Sequence, residues 1–267
     1  MNTVAIPAQR EVRREAATEM ACGRMLRAYG VEAKYESLRM LRSPAFAGPF
    51  LLIPVTLYLL FGSLLYGAEI AKDPKSAVFI FMGFLVLGVV GPGMFGFGMT
   101  VATEREQGLL QLKRALPMPR AANLLAKMLM SMLFVAIVMA TMALAAPLGH
   151  VHLSAGRLLG LALVNIFSAL PFCALGFFVG SLASAKSAPA FVNLLYLPMI
   201  YLSGILFLLP KSMGWLATIS PAHHLSQLGR ASIGAPYSGT VVGHVLVLAA
   251  VTVVFTLMAA RRIERRG

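Results

Sequence analysis

Six long stretches of the chain carry no Asp, Glu, Lys or Arg, and each of them holds a solid apolar run. A helix rises about 1.5 Å per residue, so about 20 residues cross a hydrocarbon layer about 30 Å thick. Every one of the six stretches is longer than that. The pattern predicts an all-α integral membrane protein with six transmembrane helices, placed near residues 45–66, 77–101, 128–148, 158–183, 189–209 and 240–260.

The composition agrees with a membrane location. Of the 267 residues, 58% belong to the hydrophobic set, only 12% are charged, and the mean hydropathy is +0.79. A water-soluble domain has about 25% charged residues. This chain has about half that fraction of charged residues, too few to cover the surface of a water-soluble globule of this size. The composition therefore speaks against a water-soluble enzyme.

The excess of basic residues predicts the orientation. Lys and Arg number 23 against 10 Asp and Glu, a net charge of +13. With six spans both termini lie on one side, and 18 of the 23 basic residues fall on that side. Basic residues are retained in the cytoplasm. We therefore predict a multi-pass protein of the cell membrane, a bacterial inner or cytoplasmic membrane, with both termini cytoplasmic. The charge is assigned to topology and membrane lipids, not to nucleic acid.

The first and last apolar stretches divide the chain into three parts. We expect residues 1–44 to form a cytoplasmic N-terminal segment without a signal peptide, because no apolar core follows its charges before residue 45. Apolar residues at helical spacing in this segment predict an amphipathic helix on the inner membrane surface, and a solvated leader is the alternative. Residues 45–260 form the six-helix domain, and residues 261–267 form a basic cytoplasmic tail.

Motifs for catalysis are missing from the sequence. It contains neither the phosphate-cradling G-x-x-x-x-G-K-[ST] nor the H-E-x-x-H of zinc proteases, so we assign no catalytic residue, metal or cofactor.

The six stretches hold no carboxylate, which speaks against an ion-coupled transporter. Their mild polar residues, such as Asn165 and His244, suit hydrogen bonds between helices. Four other histidines are predicted to be solvated or interfacial: His150, His152, His223 and His224.

The connection between the second and third stretches predicts a short helix over 103–116. Thr103 and Glu106 have the spacing of a capping box at the start of a helix. Leucines recur on one face of this helix, at Leu109, Leu112 and Leu116. Pro117 then ends it. A charged start followed by an apolar stripe suits docking in a groove of another protein, and lying on lipid headgroups is the alternative.

The second stretch is rich in glycine. Pro92 stands between Gly91 and Gly93 near its middle. Small residues permit close helix packing and proline introduces a kink, so we predict a hinge at these three residues. The alternative is that glycine is simply common in membrane helices.

Three elements in order make the chain resemble the ABC-2 type permeases, the membrane subunits of ATP-binding-cassette exporters, over about residues 35–262. The first is an E-R-E-x-G-x-L signature with a later proline and, beyond it, a lysine. The second is an R-x-P…P…F-G pattern at the first span, and the third is an S-G-x-x-F…L-P…W…P…R segment before the last span. The matching residues are Glu104, Arg105, Glu106, Gly108, Leu110, Pro117 and Lys127; Arg42, Pro44, Pro54, Phe61 and Gly62; and Ser203, Gly204, Phe207, Leu209, Pro210, Trp215, Pro221 and Arg230.

The resemblance implies a half-transporter. Two permeases, a second copy or a homologous chain, pair to export an amphipathic substrate such as a drug or a lipid, and each docks on a separate ABC ATPase subunit. The helix over 103–116 becomes the coupling helix, with ATPase contacts at Glu104, Arg105, Glu106, Gly108, Leu109 and Leu112. Leu109 and Gln111 depart from the Thr and Glu that many members have there. A membrane-embedded lipid-modifying enzyme and a non-transporting membrane scaffold remain the alternatives.

The resemblance also gives roles to two further groups of residues. Short re-entrant helices on the outer side are expected around Pro210, Trp215, Pro221 and Arg230, with an external loop as the alternative. Aromatic residues of the first and fifth spans are expected to line the translocation path, and ordinary packing explains them equally well. These aromatic residues are Tyr58, Phe61, Tyr196 and Tyr201.

Overall fold

The computed structural model describes residues 22–70, 72–109, 112, 122–203 and 214–266, and the regular elements in these ranges are all helices. Short helices also occupy Gly67–Ile70 and Gly214–Ala217. The longer helices, in chain order, are α1 (Cys22–Leu41), α2 (Pro44–Leu65), α3 (Lys75–Glu106), α4 (Ala122–Gly149), α5 (Ala155–Leu182), α6 (Ala188–Leu202), α7 (Pro221–Ile233) and α8 (Val241–Arg266).

Five helices of the described part are long and apolar enough to cross a membrane: α2, α3, α4, α5 and the Val241–Ile263 part of α8. The all-α membrane architecture is therefore confirmed. The predicted span over 189–209 corresponds to α6, which has 15 residues and is shorter than a membrane crossing requires. Residues 204–209 lie outside the described ranges, so the count of six spans stays a prediction.

Successive long helices alternate in direction and gather their ends at two poles of the bundle. The end of α3, the start of α4 and the end of α5 lie together, and we call this pole the Glu104 end. The opposite pole holds the end of α4, α7 and the start of α8, and we call it the His244 end.

The centre of the bundle is α3, since 72% of its apolar stretch is buried, against 17% for α2 and 11% for α8. Glycines bring α3 and α5 close together. A Cβ atom on Gly176 would lie 2.6 Å from the carbonyl oxygen of Met94, and one on Gly180 would lie 2.6 Å from that of Gly98. Without these glycines the two backbones would be forced apart.

Proline shapes the irregular turns of the long helices. Just before α3, the Asp73 carboxylate accepts hydrogen bonds from the amides of Lys75 and Ser76 and so caps the start of the helix. The run Pro92–Gly96 then forms a π-helical turn inside α3, because the nitrogen of Pro92 has no hydrogen to complete an α-helical bond. A second π-helical turn, Leu60–Leu65, ends α2.

Candidate functional site

Four charged side chains meet at the Glu104 end. The ammonium group of Lys127 on α4 donates to Oε1 of Glu36 at 2.5 Å and to Oε1 of Glu104 at 2.9 Å. Arg39 on α1 donates to the same two oxygens, at 2.9 Å to Glu36 and 3.3 Å to Glu104. The side chain of Lys127 is completely buried, and those of Glu36 and Glu104 are 5% and 3% exposed. Among the described residues, two carboxylates and two cations thus form one cluster that joins α1, α3 and α4.

Burial gives this cluster its mechanical importance. A buried charge is costly unless it is paired and hydrogen-bonded, and removing one partner of a buried pair costs about 3–5 kcal/mol. The half-exposed guanidinium of Arg39 covers the cluster on its open side. Movement of the end of α3 away from α1 or α4 would separate these charges, so the three helices move together here.

Arg105 makes a second connection from α3. Its guanidinium donates to the carbonyl oxygen of Ser181 and, at 2.6 Å, to that of Ala183. The last carbonyls of a helix have no partner within it, and a nearby cation satisfies them. Arg105 thus caps the C-terminal end of α5 and ties α3 to it.

An exposed turn follows these two connections directly. α3 ends at Glu106, and Gly108 adopts the left-handed conformation at φ +70°, which favours glycine. Helical hydrogen bonding resumes after the turn, since the amide of Leu112 donates to the carbonyl of Gly108 at 3.1 Å. Glu106 and Gln107 are exposed, and the side chain of Leu112 is 60% exposed.

The comparisons with known proteins decide the family. Residues 28–233 match the ABC-2 type transporter family. The chain belongs to that family. It is also 25% identical over 194 residues to a Bacillus subtilis (strain 168) protein, YvfS, that is named as a transport permease; the match covers 71% of this chain and 78% of that protein.

Family membership fixes the general class of the permease. It is a multi-pass membrane protein and a transporter permease subunit rather than an enzyme, and an ABC ATPase is its partner in general.

The start of the coupling helix is not where the sequence places it. Thr103 lies inside α3, and its hydroxyl donates to the carbonyl of Met99 at 2.8 Å, so the predicted capping box with Glu106 is wrong. A capping residue needs a non-helical backbone conformation, but Thr103 is helical because α3 continues through it. A new helical turn begins only after Gly108. Within the predicted range 103–116, residues 110, 111 and 113–116 lie outside the described part, as does Pro117.

Two of the predicted ATPase contacts face into the permease. Glu104 binds Lys127, and Arg105 binds the end of α5. The Glu104 carboxylate is therefore held inside the cluster, and its contact with an ATPase stays a prediction. Glu106 and Leu112 are exposed, and Gly108 and Leu109 are half-buried.

Sequence reasoning missed Glu36 and Arg39 as members of the cluster. They stand three residues apart, so they share one face of α1, and this spacing was the available signal. The sequence does not indicate that this face of α1 packs against α3 and α4.

The predicted hinge coincides with the irregular turn of α3. Pro92 opens the π-helical segment. A Cβ atom on Gly91 would lie 2.7 Å from the ring of Phe50, and one on Gly93 would lie 2.9 Å from Cβ of Phe172. These glycines therefore allow α2 and α5 to approach α3, and a hinge motion at this turn stays a prediction.

The four aromatic residues predicted for the path lie in different surroundings. Tyr58 is fully buried, donates to the carbonyl of Ala146 at 3.0 Å and packs edge-on against Phe81, so within this chain it is a core residue. Phe61 stacks on Phe84. Tyr196 packs edge-on against Phe95, and Tyr201 is exposed.

An apolar groove of about 430 Å³ lies elsewhere on the permease, between α5, α7 and α8. Phe167, Leu228 and Val245 are among its lining residues, and none of the four predicted aromatic residues is. The groove therefore gives no support to a path along these four aromatic residues.

The segment predicted to be re-entrant is partly described. Pro210 lies outside the described residues, and Trp215 is 64% exposed in the short helix Gly214–Ala217. Pro221 opens α7, which packs against α3, α5 and α8. The guanidinium of Arg230 on α7 lies over the ring of Phe79, 5.5 Å from its centroid. Placement of these helices as a re-entrant cap stays a prediction.

Proposed function

We propose that the permease exports an amphipathic molecule, such as a drug or a lipid, with ATP hydrolysed by a separate ATPase subunit that docks at the Glu104 end. We place this end in the cytoplasm. The support is the sequence: 18 of the 23 basic residues belong to this side, and basic residues are retained in the cytoplasm. The relative named as a transport permease supports transport as the activity.

The docking surface that we propose is the turn from Glu106 to Leu112. An exposed leucine beside an exposed carboxylate offers the ATPase an apolar anchor with a polar rim, the usual composition of a binding site for a protein. Gly108 has no neighbour among the described residues within 4 Å of a Cβ built there. A partner backbone can therefore approach this turn closely.

The observation that carries the proposal is the attachment of this turn to the rest of the bundle. Immediately before it, Glu104 is bound to Lys127 on α4, and Arg105 is bound to the end of α5. A force on the turn is passed at once to α1, α3, α4 and α5. We assign Glu104 and Arg105 the role of positioning the turn, and Glu106, Gln107, Leu109 and Leu112 the role of contact.

A second permease, identical or homologous, completes the transporter in this proposal. Large apolar residues on α2 and α6 remain exposed in the single chain, among them Leu52, Leu194 and Tyr201. Some of this surface faces lipid, and some is available to a second permease. The substrate path then runs between two permeases, while residues 1–44 and 261–267 stay in the cytoplasm beside the domain of residues 45–260.

Co-purification of the ATPase tests the docking surface. The tagged permease is extracted in mild detergent from the cells that make it, and the ATP-hydrolysing subunit that comes with it is quantified. Leu112→Glu and Glu106→Lys are each expected to reduce the recovered ATPase by about tenfold or more, a loss typical of a central interface residue. Lys186→Glu, at an exposed residue after α5, is the control and should leave recovery unchanged. Undiminished recovery with both variants would refute the proposed docking surface.

A further inference from the structure

Two histidines meet nitrogen to nitrogen at the His244 end. Nδ1 of His224 on α7 lies 2.7 Å from Nδ1 of His244 on α8. The other ring nitrogens face backbone oxygens, with Nε2 of His224 at 2.9 Å from the carbonyl of Thr218 and Nε2 of His244 at 2.7 Å from that of Ser238. Both residues are buried, at 7% and 6% exposed, so His224 is not the solvated histidine that was one of the two predicted cases.

The orientation of the two rings follows from these contacts. Turning either ring over by half a turn would bring a carbon atom to the neighbouring nitrogen and another to the carbonyl oxygen. That ring would then lose both of its hydrogen bonds. Buried polar groups are almost always hydrogen-bonded, so the described orientation is strongly preferred.

Counting protons on these rings gives their charge. A carbonyl oxygen only accepts, so both Nε2 atoms must carry a hydrogen. The contact between the two Nδ1 atoms needs one hydrogen and one lone pair. The three hydrogen bonds therefore require three hydrogens on four nitrogens, whereas two neutral rings carry two and two imidazolium rings carry four. The described geometry is that of a pair with a charge of +1.

We propose that His224 and His244 form a binding site for one proton, shared between their Nδ1 atoms, which ties α7 to the start of α8. With no shared proton, two lone pairs face each other or a carbonyl loses its donor. With two protons, two N–H groups face each other at the same short distance. Only the singly protonated pair makes all three bonds.

The surroundings of the pair limit it to one proton. The chain has no Asp or Glu from residue 107 to residue 263, so no carboxylate of α5, α6, α7 or the membrane-spanning part of α8 neutralises a second charge. The titratable groups of the described residues that lie on α7 or contact it from α5 are basic: the ring centroid of His223 lies 5.7 Å from that of His224, Arg230 shares α7, and Arg157 of α5 reaches Gly234 at the end of α7. The start of α3, which also packs against α7, carries one exposed acid and one exposed base, Asp73 and Lys75.

These surroundings also set the direction of titration. Burial lowers the pKa of His224, the hydrogen bond to Thr218 raises it, and a charge on His244 lowers it whenever His244 already holds the proton, with a lowered pKa as the result. The site therefore fills as the pH falls, and a second proton, which would meet the charge of the first, binds only at lower pH still. Acidification at the His244 end first tightens the attachment of α7 to α8 and then, at lower pH, loosens it.

Nitrogen NMR of the whole permease tests the site directly. The chain, labelled with ¹⁵N only at its five histidines, is placed in lipid nanodiscs and titrated from about pH 9 to about pH 4, the range that brackets histidine. Single substitutions assign the signals. We expect the pair to take up one proton in a first step, with coupling between the two Nδ1 nuclei. Independent uptake by each ring, or no uptake in this range, would overturn the proposal.

Two variants separate the shared proton from a merely structural contact. His244→Phe keeps a ring but removes the acceptor, so the pKa of His224 should fall by about one pH unit, as the loss of a hydrogen bond to a charged group predicts. His223→Gln is the matched control and should leave the first step in place, because His223 takes no part in the three hydrogen bonds. An unchanged pKa of His224 in His244→Phe would contradict the site, and the wild-type titration decides the matter if this variant does not fold.

Discussion

The ammonium nitrogen of Lys127 lies 2.9 Å from Oε1 of Glu104, and the two side chains are 0% and 3% exposed. This bond joins the end of α3 to the start of α4, on either side of the connection that carries the exposed turn. Any subunit that pushes on the turn therefore acts on two membrane-spanning helices at once.

Loss of Lys127 should destabilise the permease severely. Lys127→Met removes the buried cation that Glu36 and Glu104 share, and breaking such a buried pair costs about 3–5 kcal/mol. Unfolding of the detergent-solubilised protein by denaturant measures the change. Lys186→Met removes an exposed lysine at the same end and should change the free energy of unfolding by less than about 0.5 kcal/mol. Equal effects of the two substitutions would mean that the buried cluster contributes nothing to the free energy of unfolding.

Removing a carboxylate as well should restore part of the stability. In the double variant Lys127→Met with Glu104→Gln, Glu36 and Arg39 remain as one balanced pair. We expect it to be more stable than Lys127→Met alone by about 1–3 kcal/mol, the range of coupling between residues in one ionic network. A double-mutant cycle on the free energy of unfolding measures this, and additive losses would show that the two charges do not interact.

Gly108 should resist substitution because of its backbone alone. A Cβ atom there meets nothing within 4 Å, but φ is +70°, and a side chain in this conformation costs about 1–2 kcal/mol. Gly108→Ala should therefore weaken recovery of the ATPase by changing the turn, while Gly108→Asn, which tolerates this conformation, should weaken it less. Gly30→Ala is the control: Gly30 also has open space, but it lies within α1, where alanine is the better helix former. A Gly108→Ala variant that recovers the ATPase as well as Gly30→Ala does would contradict this.

Close packing of α3 and α5 should make Gly176 intolerant of a methyl group. A Cβ on Gly176 would lie 2.6 Å from the carbonyl oxygen of Met94 and 2.8 Å from that of Gly93, and backbone atoms do not move aside easily. Gly176→Ala should lower the free energy of unfolding by about 1–3 kcal/mol or prevent assembly of the bundle. Gly156→Ala, near the start of α5 with nothing within 4 Å, should be tolerated. Equal stability of the two variants would show that the helices are not so closely packed.

Tyr58 should affect stability rather than substrate choice. Tyr58→Phe removes the hydrogen bond to the carbonyl of Ala146 and leaves that buried oxygen without this donor, at a cost of about 1–3 kcal/mol. Tyr237→Phe, at an exposed residue, should leave the free energy of unfolding nearly unchanged. A transport assay checks the alternative. If Tyr58→Phe alters the preference among amphipathic compounds without loss of stability, Tyr58 lines the substrate path.

The apolar stretches predict five of the spans well but misjudge where two of these helices begin or end. The sequence places Glu104 after the second span and Lys127 before the third, because a charge marks the end of an apolar stretch. The two charges neutralise each other, however, so α3 continues to Glu106 and α4 begins at Ala122. Pairing of this kind depends on tertiary structure and is not visible in one stretch at a time.

Two further features depend on tertiary structure that the local sequence does not show. The spacing of Thr103 and Glu106 fits a capping box, yet a helix that arrives from upstream removes the non-helical residue that such a box needs. Neighbours in sequence gave no hint of the His224 to His244 contact, because the partners are 20 residues apart and are brought together only when α7 packs on α8. His244 was nevertheless predicted to make a hydrogen bond between helices, and it does.

Site-specific crosslinking at the turn tests the central claim most directly. A photoreactive amino acid at position 112, in cells that contain the partner ATPase, is activated and the captured protein is identified by mass spectrometry. We predict a crosslink to an ATP-binding subunit at 112, and none from the same amino acid at position 64, where Leu64 is 78% exposed at the opposite end of the bundle. Capture of lipid alone at 112, with no ATP-binding subunit, would contradict the account.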